Sequence, residues 1–523
     1  MKPTYSSEWD NSNIESINKL YSHPPSMPYN KISSFTNMDD KCKNKILNEY
    51  FKGDKKKYNK MLEIEQKTTF KHVYAIGDIH GDYNAFKTIM EGLCYEELIE
   101  TSEQNNTPDD EYNPIFTKEK IQIFLPKIRE KGLKWNPKVR DVCIIQTGDI
   151  MDGYRQKNHQ LDSNTEKTAY KATDLQIIKE LLELKKEAYQ YNSNIILLYG
   201  NHELMNIFNE FDLYLLKIEN NNFVDVPCSK NMRYPCANIF KYKLEDINKF
   251  DEKDQEEKEY IIKEIFNEVK QLKKDILCNY KTYAIINGYL FCHCGFIKKY
   301  IDELLKLDLN DSELKGIKSL YDIKEKYKKL PYPEIAQQVI NITNKTISKI
   351  LYFLWNVFED LNPKDYNNAK LYDIQQYCKY ILNILWAKDY DRVVIYNKDI
   401  NNTQDEQNQL FFDNIKKSIN EIITYLGVKG MIIGHFQNND ITTYLTVNYN
   451  NETLPLIYDI DVGLSEGFHH VQNDETVYMN KDYYILYIKE DEKPKKLKIH
   501  NKRFDEIPLE TDHRVNVAEI PDI

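Results

Sequence analysis

The sequence contains no apolar run approaching the roughly 18–20 residues that a membrane-spanning helix requires. Its opening, MKPTYSSEWDNSNIES, also lacks the apolar stretch of a secretory signal. Positive charge is not in excess, since 71 Lys and Arg against 82 Asp and Glu leave a formal net charge of −11 at pH 7. Nucleic acid demands a clustered basic surface, so no polynucleotide partner is expected. Among the 9 cysteines there is no CxxC pair; only Cys292 and Cys294 are close, and a single intervening residue is not the usual spacing of a zinc knuckle. These absences lead to an expectation of a soluble, intracellular, cytoplasmic protein with reduced, mostly buried thiols. Internal repeats and long low-complexity tracts are missing too.

What is present is globular in texture: 523 residues, 41% hydrophobic and 29% charged, which excludes wholesale disorder and collagen-like structure. Residues 1–70, rich in Asn, Ser, Lys and Tyr and broken at Pro24 and Pro25, read as a polar amino-terminal extension with one short amphipathic stretch near Lys43 to Phe51. From Lys71 short apolar runs alternate with amphipathic helical segments, the pattern of an α/β fold with βαβ units. The runs are HVYAI, VCIIQ, NIILLY, GYLFC and GMII. Between the second and third, Thr173 is placed to cap a helix in which Leu175, Ile178, Leu181, Leu182 and Leu184 recur near helical spacing. One catalytic domain over residues 71–500 is expected, with insertions at about 100–138, 208–281 and 298–380 and a tail over 501–523. The third insertion, with Ile350, Leu351, Phe353, Leu354 and Val357 among alternating charges, is expected to be helical and to sit as a cap. After Gly434 the runs ITTYLTV, LPLIYDIDV, YYILYI and KLKI read as antiparallel strands closing a sheet.

The chemistry lies where the apolar runs stop. HVYAI leads into Gly77-Asp78-Ile79-His80-Gly81-Asp82, VCIIQ into Thr147-Gly148-Asp149-Ile150-Met151-Asp152, and NIILLY into Gly200-Asn201-His202-Glu203. GYLFC leads into His293, and GMII into Gly434-His435. In open α/β sheets binding sites form outside the carboxyl ends of the strands, so Asp78, His80, Asp149, Asn201, His293 and His435 are expected to share one crevice. Two carboxylates, an amide oxygen and three imidazoles suit Mn, Fe or Zn better than the all-oxygen preferences of Ca or Mg. Six groups exceed the needs of one catalytic ion and suit two, if one carboxylate bridges them. Each piece alone has a plainer reading: Asp82 as a helix N-cap, His293 or His435 as a core histidine. His469 and His470 follow no apolar run and are read as loop residues.

This ordered set resembles the calcineurin-like metallophosphoesterase superfamily, with its GDxHG, GDxxD, GNHE, fourth-strand histidine and GH pair, in scattered blocks from Lys71 to Gly467. GDIHGDYNAF, Leu385-Trp386 in LWAKDYD, Gly434-His435-Phe436-Gln437 and Asp461-Val462-Gly463-Leu464-Ser465 look like the Shewanella-like branch of the phosphoprotein phosphatases. The resemblance implies a β-sandwich flanked by helices and a hydrolase with two divalent ions. Asp78, His80 and Asp149 would hold one ion and Asp149, Asn201, His293 and His435 the other. It further implies that His202 is the general acid for the leaving oxygen and that Asp152 orients it. Gly153 stands where such phosphatases usually have a phosphate-clamping arginine, which leaves Arg155, Lys388 and Arg392 as candidate replacements. Cys294 stands where a glycine is usual. The implied substrate is a phosphomonoester on Ser, Thr or Tyr of a protein. A small phosphate compound such as a dinucleoside polyphosphate, or a scaffold that binds a partner protein through the insertions, are the alternatives.

Overall fold

The apolar runs after Lys71 become strands in the computed structural model, which describes residues 38–95, 99–101, 133–151, 174–207, 217–219, 222–224, 271–307, 309, 311–360, 377–378, 380–386, 406–436, 438, 440–449, 452–462, 471–472, 475–476, 483–500, 503–507, 509 and 518–519. In chain order the strands are β1 (His72–Ile76), β2 (Ile99–Thr101), β3 (Leu133–Trp135), β4 (Val142–Gln146), β5 (Asn194–Leu198), β6 (Lys217–Glu219), β7 (Asn222–Val224), β8 (Tyr280–Lys281), β9 (Tyr283–Ile286) and β10 (Tyr289–Cys292). They continue with β11 (Gly430–Ile433), β12 (Thr442–Tyr449), β13 (Glu452–Asp459), β14 (Val471–Gln472), β15 (Glu475–Thr476), β16 (Tyr483–Lys489), β17 (Lys495–His500), β18 (Arg503–Ile507) and β19 (Ala518–Glu519). The α-helices are α1 (Met38–Lys45), α2 (Lys55–Glu65), α3 (Tyr83–Tyr95), α4 (Asp174–Ala188), α5 (Asn201–Ile207), α6 (Lys298–Leu305), α7 (Leu320–Tyr327), α8 (Tyr332–Asp360) and α9 (Glu406–Leu426).

Two sheets and their helices share one apolar core. The first sheet runs β18-β17-β16-β1-β4-β5-β8, with β1, β4, β5 and β8 parallel and β16 antiparallel to β1. A strand covered on both faces reads as an unbroken apolar run, which accounts for the complete burial of VCIIQ and NIILL. Helix α4 lies between β4 and β5 in the chain and packs on β5 and β3, burying Ile177, Ile178, Leu181, Leu182 and Leu184. Thr173, its expected cap, lies outside the described residues. The second sheet runs β19-β12-β13-β11-β10-β9, with β10, β11 and β13 mutually parallel.

The late strands do not close a single antiparallel sheet. β12 and β13 join the second sheet, whereas β16, β17 and β18 extend the first. Residues 456–462 are all buried, as befits a strand end paired on both sides, and β13 lies between antiparallel β12 and parallel β11. Chain order alone did not reveal that partner. Within 298–380 the described residues are largely helical, and α8 packs against α6, α7, α9 and β9. The stretch 380–386 is the part that reaches the strand ends.

Residues 38–70 are built into the core through Phe51, Met61, Ile64 and Phe70. A disulfide between Cys42 and Cys278 ties α1 to the helical turns before β8, correcting the expectation of uniformly reduced thiols. The two cysteines are 236 residues apart, so no local spacing announces the bond. Cys143, Cys292, Cys294 and Cys378 are buried thiols that form no disulfide among the described residues. Among the described residues no helix is long and apolar enough to cross a membrane.

Candidate metal centre

The carboxyl ends of β1, β4 and β5 in one sheet meet those of β10 and β11 in the other. Gly434 N donates to His293 O at 2.8 Å, and the N–H groups of Ile79 and His80 both donate to Asp149 O, at 3.1 and 2.9 Å. Such closeness depends on residues without a β-carbon: a Cβ at Gly434 would lie 2.2 Å from Asp78 Oδ1, and one at Gly200 2.1 Å from Asp149 Oδ1. His80, Asp149 and His435 have φ of 45°, 54° and 76°. Non-glycine residues in this left-handed region cost of order 1–3 kcal/mol each and collect where function requires a particular side-chain direction.

Two groups of donors form around Asp149. His80, Asp149 and His202 offer ligand atoms within 4.8 Å of one another, and so do Asp149, His293 and His435. His80 Nε2 and His202 Nε2 each lie 3.8 Å from Asp149 Oδ2, with His293 Nε2 at 3.4 Å. Asp78 Oδ2 is 3.9 Å from His80 Nε2 and accepts the His435 N–H at 3.0 Å. Asp78 Oδ1 is buried with no hydrogen-bond partner among the described residues. His202, expected as the general acid, thus falls in the donor group with His80 and Asp149.

The donor chemistry fits cations. His293 Nδ1 lies 3.0 Å from Thr147 O and His80 Nδ1 3.0 Å from Met151 O, so each donates there and turns a lone pair on Nε2 inward. His293 Nε2 then faces Asn201 Oδ1 at 2.9 Å and His435 Nδ1 at 3.1 Å as well as Asp149. Acceptors gathered so closely repel one another unless positive charge lies among them. Burial, then the charges of Asp461 and Asp149, push the Asp78 carboxyl well up. Burial works upward on Asp149 too, but the imidazoles of His293, His202 and His80 hold it well below the usual carboxylate range.

Glu203 is a residue that the sequence reading quoted without assigning a role. Its carboxylate accepts the backbone N–H groups of Asp149, Ile150, Met151 and Gly200 at 2.8, 2.7, 3.2 and 2.7 Å, fixing the loop that presents Asp149. Burial and the neighbouring Asp149 push its carboxyl up to about 7. Its position in the first turn of α5, just beyond Asn201 and His202, was the available signal. Asp82 caps α3 by accepting the Ala85 N–H at 2.9 Å, in keeping with the plainer reading of that residue. Cys294 Sγ donates to Ile384 O at 3.3 Å and ties the 380–386 stretch to the site, where the Trp386 ring stands edge-on to His435 at 6.4 Å. Asp152, Arg155, Lys388, Arg392, His469 and His470 lie outside the described residues.

Residues 71–311 match the family described as calcineurin-like phosphoesterase. No curated protein sequence matches the chain. Among solved structures, a cold-active protein tyrosine phosphatase determined at 1.1 Å is 12% identical, with a TM-score of 0.38 over 86% of this chain and 83% of that one. The cold-active protein-tyrosine phosphatase of a psychrophilic Shewanella species is 13% identical, with a TM-score of 0.35 over 85% and 84% of the respective chains.

Proposed function

We propose that this protein is a metal-dependent hydrolase of phosphoesters that removes phosphate from Ser, Thr or Tyr side chains of phosphorylated proteins, a reading supported by the match of residues 71–311 to calcineurin-like phosphoesterase. The catalytic domain is taken as residues 71–500, with the insertions at 100–138, 208–281 and 298–380 available to a protein partner. The observation that carries the reading is the sharing of Asp149 by both donor groups, which is what a carboxylate bridging two ions requires.

Asp78, His80 and Asp149 would hold one divalent ion, and Asp149, Asn201, His293 and His435 the other; the mixed nitrogen and oxygen donors favour Mn, Fe or Zn. When bound, the two ions supply the positive charge that neutralises phosphoryl oxygens and acidifies the attacking water. Asn201, whose oxygen faces the site 2.9 Å from His293 Nε2, can turn its amide hydrogens toward the phosphate. His202 protonates the leaving oxygen. Its side chain is 17% exposed, against 2% for His80, so it alone of that pair opens toward arriving substrate. The His202 backbone N–H donates to Asp149 Oδ1 at 2.9 Å, fixing the start of α5. Asp152 is proposed to orient the imidazole, and Arg155, Lys388 or Arg392 to clamp the phosphate in place of the arginine missing at Gly153.

Purified protein supplied with Mn is expected to hydrolyse para-nitrophenyl phosphate, and Asp149→Asn or His435→Ala to abolish that turnover. His202→Ala is expected to lose about 10²–10⁴-fold on phosphoserine peptides and far less on para-nitrophenyl phosphate, whose phenolate departs without a proton. Equal losses on both substrates would remove the acid role from His202. A parallel panel of nucleotides tests the substrate class, and a strong preference for them would contradict a protein substrate.

A further inference from the structure

A cavity of about 320 Å³ opens where the two sheets present their last strands, β8 and β9, to α8, and none of the six proposed metal ligands lies in its wall. Ile196, Leu277, Ile286 and Ile340 give it an apolar surface, and the Cys42–Cys278 disulfide borders it. A volume of this size sits at the lower end of those that hold small organic ligands. The edge of β9 does not invite an added peptide strand there. Asn344 already accepts the N–H groups of Thr282 and Tyr283 at 3.1 and 3.0 Å and donates to Tyr283 O at 2.8 Å.

The wall is cationic, in a chain whose formal net charge is −11. Lys67, Lys281 and Lys345 bring ammonium groups to it, against the carboxylate of Glu65 as the one acid among the described residues of the wall. Glu65 is itself shared between Lys281 and Lys185, the latter at 2.7 Å. Lys67 pairs with Asp141, and Lys345 with Glu313 and, at 3.3 Å, with Asp311, but those three acids are not part of the wall. An ammonium has three donors, and these pairings do not exhaust them. The wall also holds an acceptor that lacks a donor. Gln337 Nε2 donates to Asn341 Oδ1 at 2.9 Å, whereas Gln337 Oε1 is buried with no hydrogen-bond partner among the described residues, a costly state for an amide oxygen. We propose that this cavity is a second ligand site, for a small organic anion: its carboxylate or phosphate group meets the lysines, its carbon body covers the apolar surface, and a hydroxyl on that body donates to Gln337.

The test is titration calorimetry of the full chain with Mn present, using 4-hydroxybenzoate and 4-hydroxyphenylphosphonate as the anions and 4-hydroxybenzyl alcohol as their neutral counterpart. Wild type is expected to bind at least one anion, the tighter of the two assigning the charged group, and to bind the alcohol about 10-fold or more weakly. Lys345→Gln is expected to weaken anion binding about 10-fold and Gln337→Leu about 5-fold, while Lys345→Arg retains it. Lys67→Gln neutralises a second wall cation and carries the same expectation should Lys345→Gln not fold. Asp149→Asn separates this cavity from the metal centre. Undiminished anion binding in that variant is expected, and its loss would place the anion at the metal centre and overturn the proposal. Binding of neither anion by wild type, equal affinity for the alcohol, or wild-type affinity in both the lysine and the Gln337→Leu variants would overturn it as well.

Discussion

Gly434 shows how closely single residues are fitted around the site. The Cβ of an alanine there would press on Asp78 Oδ1 at 2.2 Å and Thr147 Oγ1 at 2.9 Å, both enclosed. Gly434→Ala is expected to cost about 1–3 kcal/mol of metal-free stability, as over-packing does. It is also expected to lower Mn affinity by displacing the carboxylate, and calorimetry showing wild-type affinity would contradict this. Glu203 makes the same point differently, because one carboxylate collects four N–H groups from two loops. Residue types that ligate metals could be recognised in the sequence because the apolar runs stop at them. A glutamate in the first turn of a helix is ordinary, and its many backbone partners are created only by folding.

At the scale of elements, α2 is fastened to α4 and β8 by an ionic cluster centred on Glu65. Lys185 Nζ donates to Glu65 Oε1 and Ile195 O, each at 2.7 Å, while Tyr189 and Lys281 also donate to Glu65. Burial works upward on Glu65, but Lys185 and Lys281 hold its carboxyl far below the usual range. A depressed carboxyl stabilises the fold above its unfolded pKa, near 4.5, and that contribution is lost as pH falls below it. Glu65→Gln is expected to lose about 3–5 kcal/mol at pH 7, since the buried Lys185 charge is left uncompensated. The variant should also show a flatter decline in urea stability between pH 6 and pH 3 than wild type; parallel declines would contradict the assignment. The element pattern was only partly visible beforehand. Strands covered on both faces, such as VCIIQ and NIILL, announce themselves as apolar runs. The parallel pairing of β13 with β11 is set by packing between distant segments and carries no such signal.

For the molecule as a whole, two sheets bring their strand ends to one edge, and the chain between those ends supplies helices that cover the core. The order of the motifs along the sequence made that convergence readable, since each of five runs stopped at a ligand type. The Cys42–Cys278 bond was not readable, because its partners lie 236 residues apart and in unremarkable contexts. Its effect is to join the amino-terminal helices to the segment entering β8, two residues beyond Cys278, and β8 pairs with β5, the strand that delivers Asn201 and His202. The proposed chemistry requires one carboxylate to serve two cations. The direct measurement is an anomalous difference map from a Mn-loaded crystal. Two peaks about 3.5–4 Å apart, one on each side of the Asp149 carboxylate, are the predicted result; a single peak, or peaks away from Asp149, would contradict it.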